Sequence, residues 1–523
     1  MKKESLKLLF VLAGAFLFNI IFWQEKPGIN IILFDIFICS AIVFLFPYSL
    51  KNNGSKWLLA MHLTAAAMVL IQNTLLSEIS FFITLLLFVS FSQYLHRSVW
   101  YAAGSSMVNY LLCVPSFFRG LTQINQRTEM QPKYSKSFRM LLIPIAIVFV
   151  FIIIYASANN IFSNILTGAV DAITNWFTHF FDWVSLARFG FFLFGLIVVS
   201  GLFLRNKATF FSDLDMKRKN NLARTKTSYK KWKESAWSDV LSLVAGKAST
   251  GLLVLKYEFK TGLVSLVLLN ALLFFLNCID IKYVWLNSNY NRNAGVAAYV
   301  HEGAWMLIFS IILAMLVLLF FFRGNLNFYK KNKWLRYGAY LWILQNVFLV
   351  LSVFNRDYFY ISHYGLAYKR IGLLFFLAMV LGGLVTIFLK IYYTKTLYFL
   401  LRINSWVGVV LLVCASVANW DVAIARYNLS KRGTIPLDVP FLLSLSDKTL
   451  PLIEKNKDVL QKDTGLSYQY YYDSAPHNAA DFFEFRKSAY LNQQRNYTWL
   501  SWNAADALVK KELERNTNYS SLK

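Results

Sequence analysis

Apolar stretches of membrane-crossing length recur along most of the chain, at residues 6–23, 29–48, 57–76, 79–96, 140–158, 188–205, 262–279, 305–323, 338–354, 371–390 and 397–418. A hydrocarbon core of about 30 Å takes about 20 residues of α-helix to cross. In lipid each backbone amide must find its partner within its own segment, so helices are what such runs can form. The pattern therefore predicts an all-α fold, a polytopic transmembrane helix bundle of about 11 spans. Composition agrees, because 57% hydrophobic and 15% charged residues exclude an ordinary soluble enzyme of 523 residues.

The formal charge of +26, from 53 basic and 27 acidic residues, has to be assigned to a partner. Lys and Arg collect in short loops between apolar runs, as the positive-inside rule expects, and no RNA- or DNA-binding motif accompanies them. Membrane lipid, and no nucleic acid, is the partner this implies. The loop 206–261, with Lys217, Arg218, Lys219, Lys230, Lys231 and Lys233, is expected inside. The segment 323–336, with Arg323, Lys330, Lys331, Lys333 and Arg336, is expected there too. That orientation puts the N-terminus in the cytoplasm and the tail after Trp420 outside. Met1–Trp23 resembles a signal peptide but lacks a small-residue cleavage site, and it reads as an uncleaved first helix.

Six regions follow. Residues 1–158 hold the N-terminal transmembrane helices. Within them 98–118, with Gly104, Ser105, Ser106, Asn109 and Pro115, reads as re-entrant or interfacial. Residues 159–187 read as an outer amphipathic interfacial helix, with Phe162, Ile165, Leu166, Val170, Trp176 and Phe177 opposed to Asp171, Asn175, Thr178 and Asp182. A transmembrane helix at 188–205 precedes the basic cytoplasmic loop 206–261, whose Trp232, Trp237, Leu241 and Val244 are candidate membrane anchors. Residues 262–418 form a transmembrane core. Residues 419–523 regain charge, cluster Tyr468, Tyr470, Tyr471 and Tyr472, and suffice for a small helical domain outside the membrane.

Two polar strings interrupt the apolar background, Tyr299–Trp305 (YVHEGAW) and Asn355–Arg370 (NRDYFYISHYGLAYKR). They gather Tyr299, His301, Glu302, Gly303, Arg356, Asp357, Tyr360, His363, Tyr364 and Arg370 at the outer membrane surface. Charge kept beside a bilayer needs a job or a partner. One reading is an interhelical tie, Glu302 to Arg356 or Arg370; the other is a cleft for an anionic lipid or glycan-lipid headgroup. Within the apolar runs the polar residues are Asp35, Asn270, Asn277, Gln345 and Asn346. Asp35 admits a proton or cation site, and its closeness to the outer end of its helix favours a hydrogen-bonded structural role.

Signatures of catalysis do not accompany these residues. The histidines at 62, 96, 179, 301, 363 and 477 contain no HExxH and no pair at ligand spacing, so neither a metal nor a cofactor is expected. Cys39, Cys113, Cys278 and Cys414 stand singly in apolar stretches and read as small core residues. No phosphate-binding loop, nucleophile elbow or kinase motif occurs. The reading is a non-enzymatic envelope sensing, signalling or assembly component that binds a lipid or an envelope protein partner through 419–523. The alternative is a transporter or lipid-linked glycan handler gripping an anionic group.

The same strings carry a family resemblance. Tyr299, Glu302 and Gly303, then Arg356, Tyr360, Tyr364, Gly365, Leu366 and Arg370, then IARYNL (Ile424–Leu429) and LDVPFLLSLS (Leu437–Ser446) occur in one order. In these the second half of the chain resembles the bacterial membrane proteins grouped as the domain of unknown function DUF4173, related to DUF4153. The resemblance implies a multi-pass protein of a bacterial inner (plasma) membrane and no particular chemistry.

Overall fold

The computed structural model describes residues 3–125, 150–180, 185–205, 209–223, 254–286, 294–322, 325–329, 331–461 and 478–520, with Pro144, Ile147 and Val148 besides. Among them the elements are helical, apart from one isolated bridge between Asn221 and Lys395. The chain divides into two compact units. The first comprises Met1–Arg97, Tyr101–Leu214 and Gln493–Ala507; the second comprises Ser98–Trp100, Asp215–Asn492 and Leu508–Lys523.

In the first unit the longer helices are α1 (Lys3–Phe22), α2 (Ile29–Leu45), α3 (Asn53–Ile71), α4 (Leu75–Tyr94), α5 (Val99–Leu111), α6 (Cys113–Asn125), α7 (Asn160–Phe180), α8 (Leu186–Phe203) and α9 (Phe210–Lys217). Their starts are written locally. Thr74 and Ser77 close a reciprocal capping box on α4, and the Asn52 side chain accepts from Gly54 to open α3. α1 packs on α8 through rings, with Phe18 and Phe191 stacked at 5.0 Å.

The stretch expected to be re-entrant or interfacial is two 13-residue helices, α5 and α6, broken at Leu112. Its Ser105, Ser106 and Asn109 are buried in protein. Tyr94 donates to Asn109 (2.7 Å), Asn109 to Gln93 (2.9 Å) and Gln93 to the Leu202 carbonyl (2.6 Å). Those bonds supply the polar surroundings that a helix break needs at membrane depth. α7 instead leaves Ile161, Ile165 and Val170 exposed, the apolar face of an amphipathic helix.

The tail returns to this unit. Ser501 and Trp502 meet the connection between α1 and α2, where Lys26 N donates to Ser501 Oγ (2.8 Å) and Ile29 N to Trp502 O (3.0 Å). Ser501 donates to Glu25, whose carboxylate also accepts from Thr498 N (3.3 Å). Asn30 holds the connection in shape, bonding Gly28 N and the Ile21 and Lys26 carbonyls. Gly28 has no room for a side chain, because a Cβ there would stand 2.6 Å from the Ser501 carbonyl carbon.

In the second unit α10 (Val254–Asp280) continues into a π-helical turn at Ile281–Trp285. It is followed by α11 (Ala294–Phe321), α12 (Lys333–Tyr364), α13 (Tyr368–Tyr392) and α14 (Leu397–Ser416). The shorter helices of the tail are α15 (Trp420–Ser430), α16 (Val439–Ser444), α17 (Leu450–Glu454), α18 (Asp458–Gln461), α19 (Ala479–Arg495) and α20 (Ala504–Ser520). α10 is patterned for lipid, with Val264, Leu268, Leu272 and Phe275 exposed while Asn270, Asn277 and Asp280 are buried. A separate apolar core, around Ile424, Leu442, Leu450, Ala479, Phe483 and Leu513, holds the tail helices against Ile371 at the start of α13.

Eight described helices are long and apolar enough to cross a membrane, and Ile29–Leu45 and Trp305–Phe321 are shorter apolar ones. Together they cover every expected crossing except 140–158, most of whose first half lies outside the described residues. The expected anchors Trp232, Trp237, Leu241 and Val244 and the cluster Tyr468–Tyr472 also lie outside them.

One expectation fails on packing. Cys278 and Cys414 are exposed on their helices, and among the four cysteines only Cys113 is fully buried. An apolar run marks lipid-facing and core positions alike, so a cysteine within it can be either.

Candidate functional site

The polar strings are parts of helices. α12 runs 32 residues from Lys333 to Tyr364, and α11 already begins at Ala294. No helix breaker interrupts 355–364, and the helix stops where Gly365 takes φ +80°, in the left-handed region. Arg356, Asp357, Tyr360, His363 and Tyr364 thus stand on the last three turns of α12. Tyr299, His301, Glu302 and Gly303 stand in the first turns of α11, and their side chains lie outside the described residues.

The carboxylate placed on Arg356 is Asp280. Arg356 Nη2 lies 2.5 Å from Asp280 Oδ1, and Ser352 Oγ donates to Asp280 Oδ2 at 2.5 Å. Asp280 is 2% exposed and is the last α-helical residue before the π-turn of α10. Sequence reasoning missed Asp280, since the apolar run was closed at 279, one residue short of it.

Arg370 is engaged close to home. It donates to the Gly365 carbonyl, the C-cap residue of α12, and its guanidinium lies 4.3 Å from the centre of the Tyr360 ring. Tyr360 and Tyr364 pack ring to ring at 4.9 Å. His363 is exposed, with Nδ1 2.9 Å from the Phe359 carbonyl. Asp357 is buried, and its Oδ2 has no hydrogen-bond partner among the described residues.

From Arg356 a polar seam runs down between α10 and α12. Asn277 donates to the Gln345 carbonyl (3.3 Å), Gln345 Nε2 to Asn270 Oδ1 (2.8 Å), and Asn270 to the Leu266 and Gly338 carbonyls (2.7 and 3.0 Å). The steps 270 to 277 and 345 to 352 are whole heptads, so these residues share the seam of one helix pair. Asn346 bonds back to the Trp342 carbonyl (2.8 Å). Two seam acceptors, Gln345 Oε1 and Asn277 Oδ1, and one donor, Arg356 Nε, are buried without partners among the described residues.

Asp35 belongs to the first unit and to a different network. Its Oδ1 lies 2.7 Å from His62 Nε2 on α3 and 3.4 Å from Cys39 Sγ, one turn along α2. One ligand atom from each of these three residues falls within 4.8 Å of the others. A cysteine and a histidine that stand apart in sequence are thus neighbours in the fold.

The chain belongs to the family described as a domain of unknown function (DUF4153), whose model matches residues 11–456. The match extends well beyond the second half in which the resemblance was legible. No curated protein and no solved structure matches the chain.

Proposed function

Starting from that membership, we propose that the chain is a non-enzymatic component of a bacterial inner membrane, serving envelope sensing, signalling or assembly. Its outward-facing tail is the part that binds a partner or lipid. The observation that carries this reading is how the two expected gripping arginines are used. Arg356 is paired with a buried carboxylate, and Arg370, on α13, caps the C-terminal end of α12 and stacks on Tyr360 there. Both side chains are engaged in holding helices together, the structural use of such charges. The tail has its own apolar core and carries exposed Phe485 and Leu508, and the returning segment exposes Trp499 and Trp502. The shared side of the α1–α2 connection and residues 498–502 supports a cytoplasmic N-terminus with an extracytoplasmic tail.

A second reading, transport or handling of a lipid-linked glycan, is favoured by one observation. Two buried polar groups line the α10–α12 contact, Asn270 with Gln345 and Asn277 and then Asp280 with Ser352 and Arg356, and they hold buried polar atoms without described partners. Native mass spectrometry with lipid analysis separates the two, comparing the purified protein with Glu302→Gln and Arg356→Ala at matched folding. The sensing and assembly reading expects no anionic headgroup whose retention depends on either residue. A co-purifying anionic lipid or glycan-lipid lost in both variants would replace it with the second reading.

A further inference from the structure

We propose that Asp35 and His62 form a proton-binding site inside the membrane-embedded part of the first unit. The argument rests on which way the hydrogen bonds around the imidazole must point. Thr84 Oγ1 on α4 lies 2.7 Å from the Ser80 carbonyl and 3.1 Å from the Phe81 carbonyl. We take that hydrogen to lie on the Ser80 carbonyl, the shorter of the two contacts and an i to i−4 bond that threonine forms readily in helices. Thr84 then accepts on the ring side, and His62 Nδ1, at 3.1 Å, is the donor.

That fixes the other face of the ring. His62 Nε2 lies 2.7 Å from Asp35 Oδ1, and both residues are buried, at 0% and 3% exposure. Were Nε2 bare and Asp35 ionised, two lone pairs would meet at hydrogen-bond distance in a low-dielectric interior, where the repulsion is not screened. One further proton then lies on that line, held by the imidazole, the stronger base of the two, as imidazolium beside carboxylate, and the pair is neutral overall. Releasing the proton leaves one buried negative charge, eased by Cys39 donating its S–H to the same oxygen at 3.4 Å.

A metal ion bound to both atoms at about 2.0 to 2.1 Å in tetrahedral geometry would hold them more than 3 Å apart. At the 2.7 Å shown the two atoms share a hydrogen, and a metal would have to spread them. Phe81 closes the ring from α4, 4.9 Å centre to centre. Cys39 is the ionisable group in hydrogen-bond reach. Among the described side chains, the charged residues on the packed helices are Lys7 on α1, Lys56 in the first turn of α3 and Glu78 in the first turn of α4; Lys3 and Glu4 open α1. Because the pair and Thr84 tie α2, α3 and α4, gain or loss of the proton acts on the packing of all three.

The test is nitrogen NMR of the full-length protein in lipid nanodiscs with labelled histidine, between about pH 5 and about pH 9. The expected result is a ring signal, absent in His62→Gln, that reports hydrogen on both nitrogens at the acid end and loses the Nε2 hydrogen toward the alkaline end. Thr84→Val keeps the side-chain shape and removes the acceptor. In it the neutral ring is free to carry its hydrogen on Nε2, and the Nδ1 signal is expected to be lost at the alkaline end. A ring that stays unchanged over the whole range in the wild type would make the pair a locked tie and overturn the proposal. So would a bare Nε2 at every pH, or one equivalent of metal that is lost in Asp35→Asn.

Discussion

Arg356 Nη2 lies 2.5 Å from Asp280 Oδ1, and Ser352 donates to the other oxygen of that carboxylate. Both ions are withdrawn from water, with side chains 13% and 3% exposed. A buried pair of this kind gains little over apolar packing, yet removing one partner strands the other. Arg356→Ala is expected to destabilise by about 3 kcal/mol. Arg356→Ala with Asp280→Asn should cost clearly less than the two single changes added together. Thermal unfolding of the four proteins in one lipid environment gives the coupling, and strict additivity would mean that the two side chains are not paired.

The seam below that pair yields a second expectation. Gln345→Leu leaves Asn270 Oδ1 buried without its donor and should cost about 1 to 2 kcal/mol. Adding Asn270→Leu removes the stranded group, and in an apolar bundle the double change should recover most of that loss. If the double variant instead stays as unstable as the single one, the seam is held by something other than this amide pair. A lost cellular function in a stable double variant would favour the transport reading.

Gly365 ends α12 with φ +80°, and a Cβ there would lie 2.5 Å from Asn428 Oδ1. Asn428 bridges Leu366, accepting from its N–H (2.7 Å) and donating to its carbonyl (3.0 Å), and so fastens the tail to the α12–α13 turn. Gly365→Ala meets both the backbone penalty and the collision, and about 2 kcal/mol of destabilisation is expected. Asn428→Ala should lower the melting point as well, by stranding the Leu366 amide. A Gly365→Ala protein that melts with the wild type would show that the turn relaxes without Asn428.

Sequence made the membrane class and the positions of the spans legible, since an apolar run long enough to cross is a one-dimensional signal. Asp280 was invisible for a physical reason: its partner Arg356 sits 76 residues away, and only the facing of α10 and α12 brings them together. The polar strings looked like separators because charge usually ends a span. Their backbone stays helical because nothing before Gly365 stops it. Asp35 stood out as an intramembrane carboxylate, but His62 lies 27 residues on, at no spacing that announces a pair. Which charges pair is decided by helix packing, and periodicity does not encode it.

The tail's return to the first unit depends on a glycine. With a Cβ at Gly28 only 2.6 Å from the Ser501 carbonyl carbon, the obstacle is backbone on both sides and cannot rotate away. Gly28→Ala is therefore expected to push residues 498–503 off the α1–α2 connection. Ser501→Ala removes the bonds from Lys26 N and to Glu25 and leaves the main-chain bond of Ile29 to Trp502 in place, so its cost should be about 1 kcal/mol. Amide exchange at Ile29 reads the difference directly, because that amide opens a helix and has Trp502 O as its acceptor. Exchange should quicken by about tenfold for each 1.4 kcal/mol of docking lost, strongly in Gly28→Ala and weakly in Ser501→Ala. Equal protection of Ile29 in wild type and Gly28→Ala would mean that the returning segment does not rest on this connection.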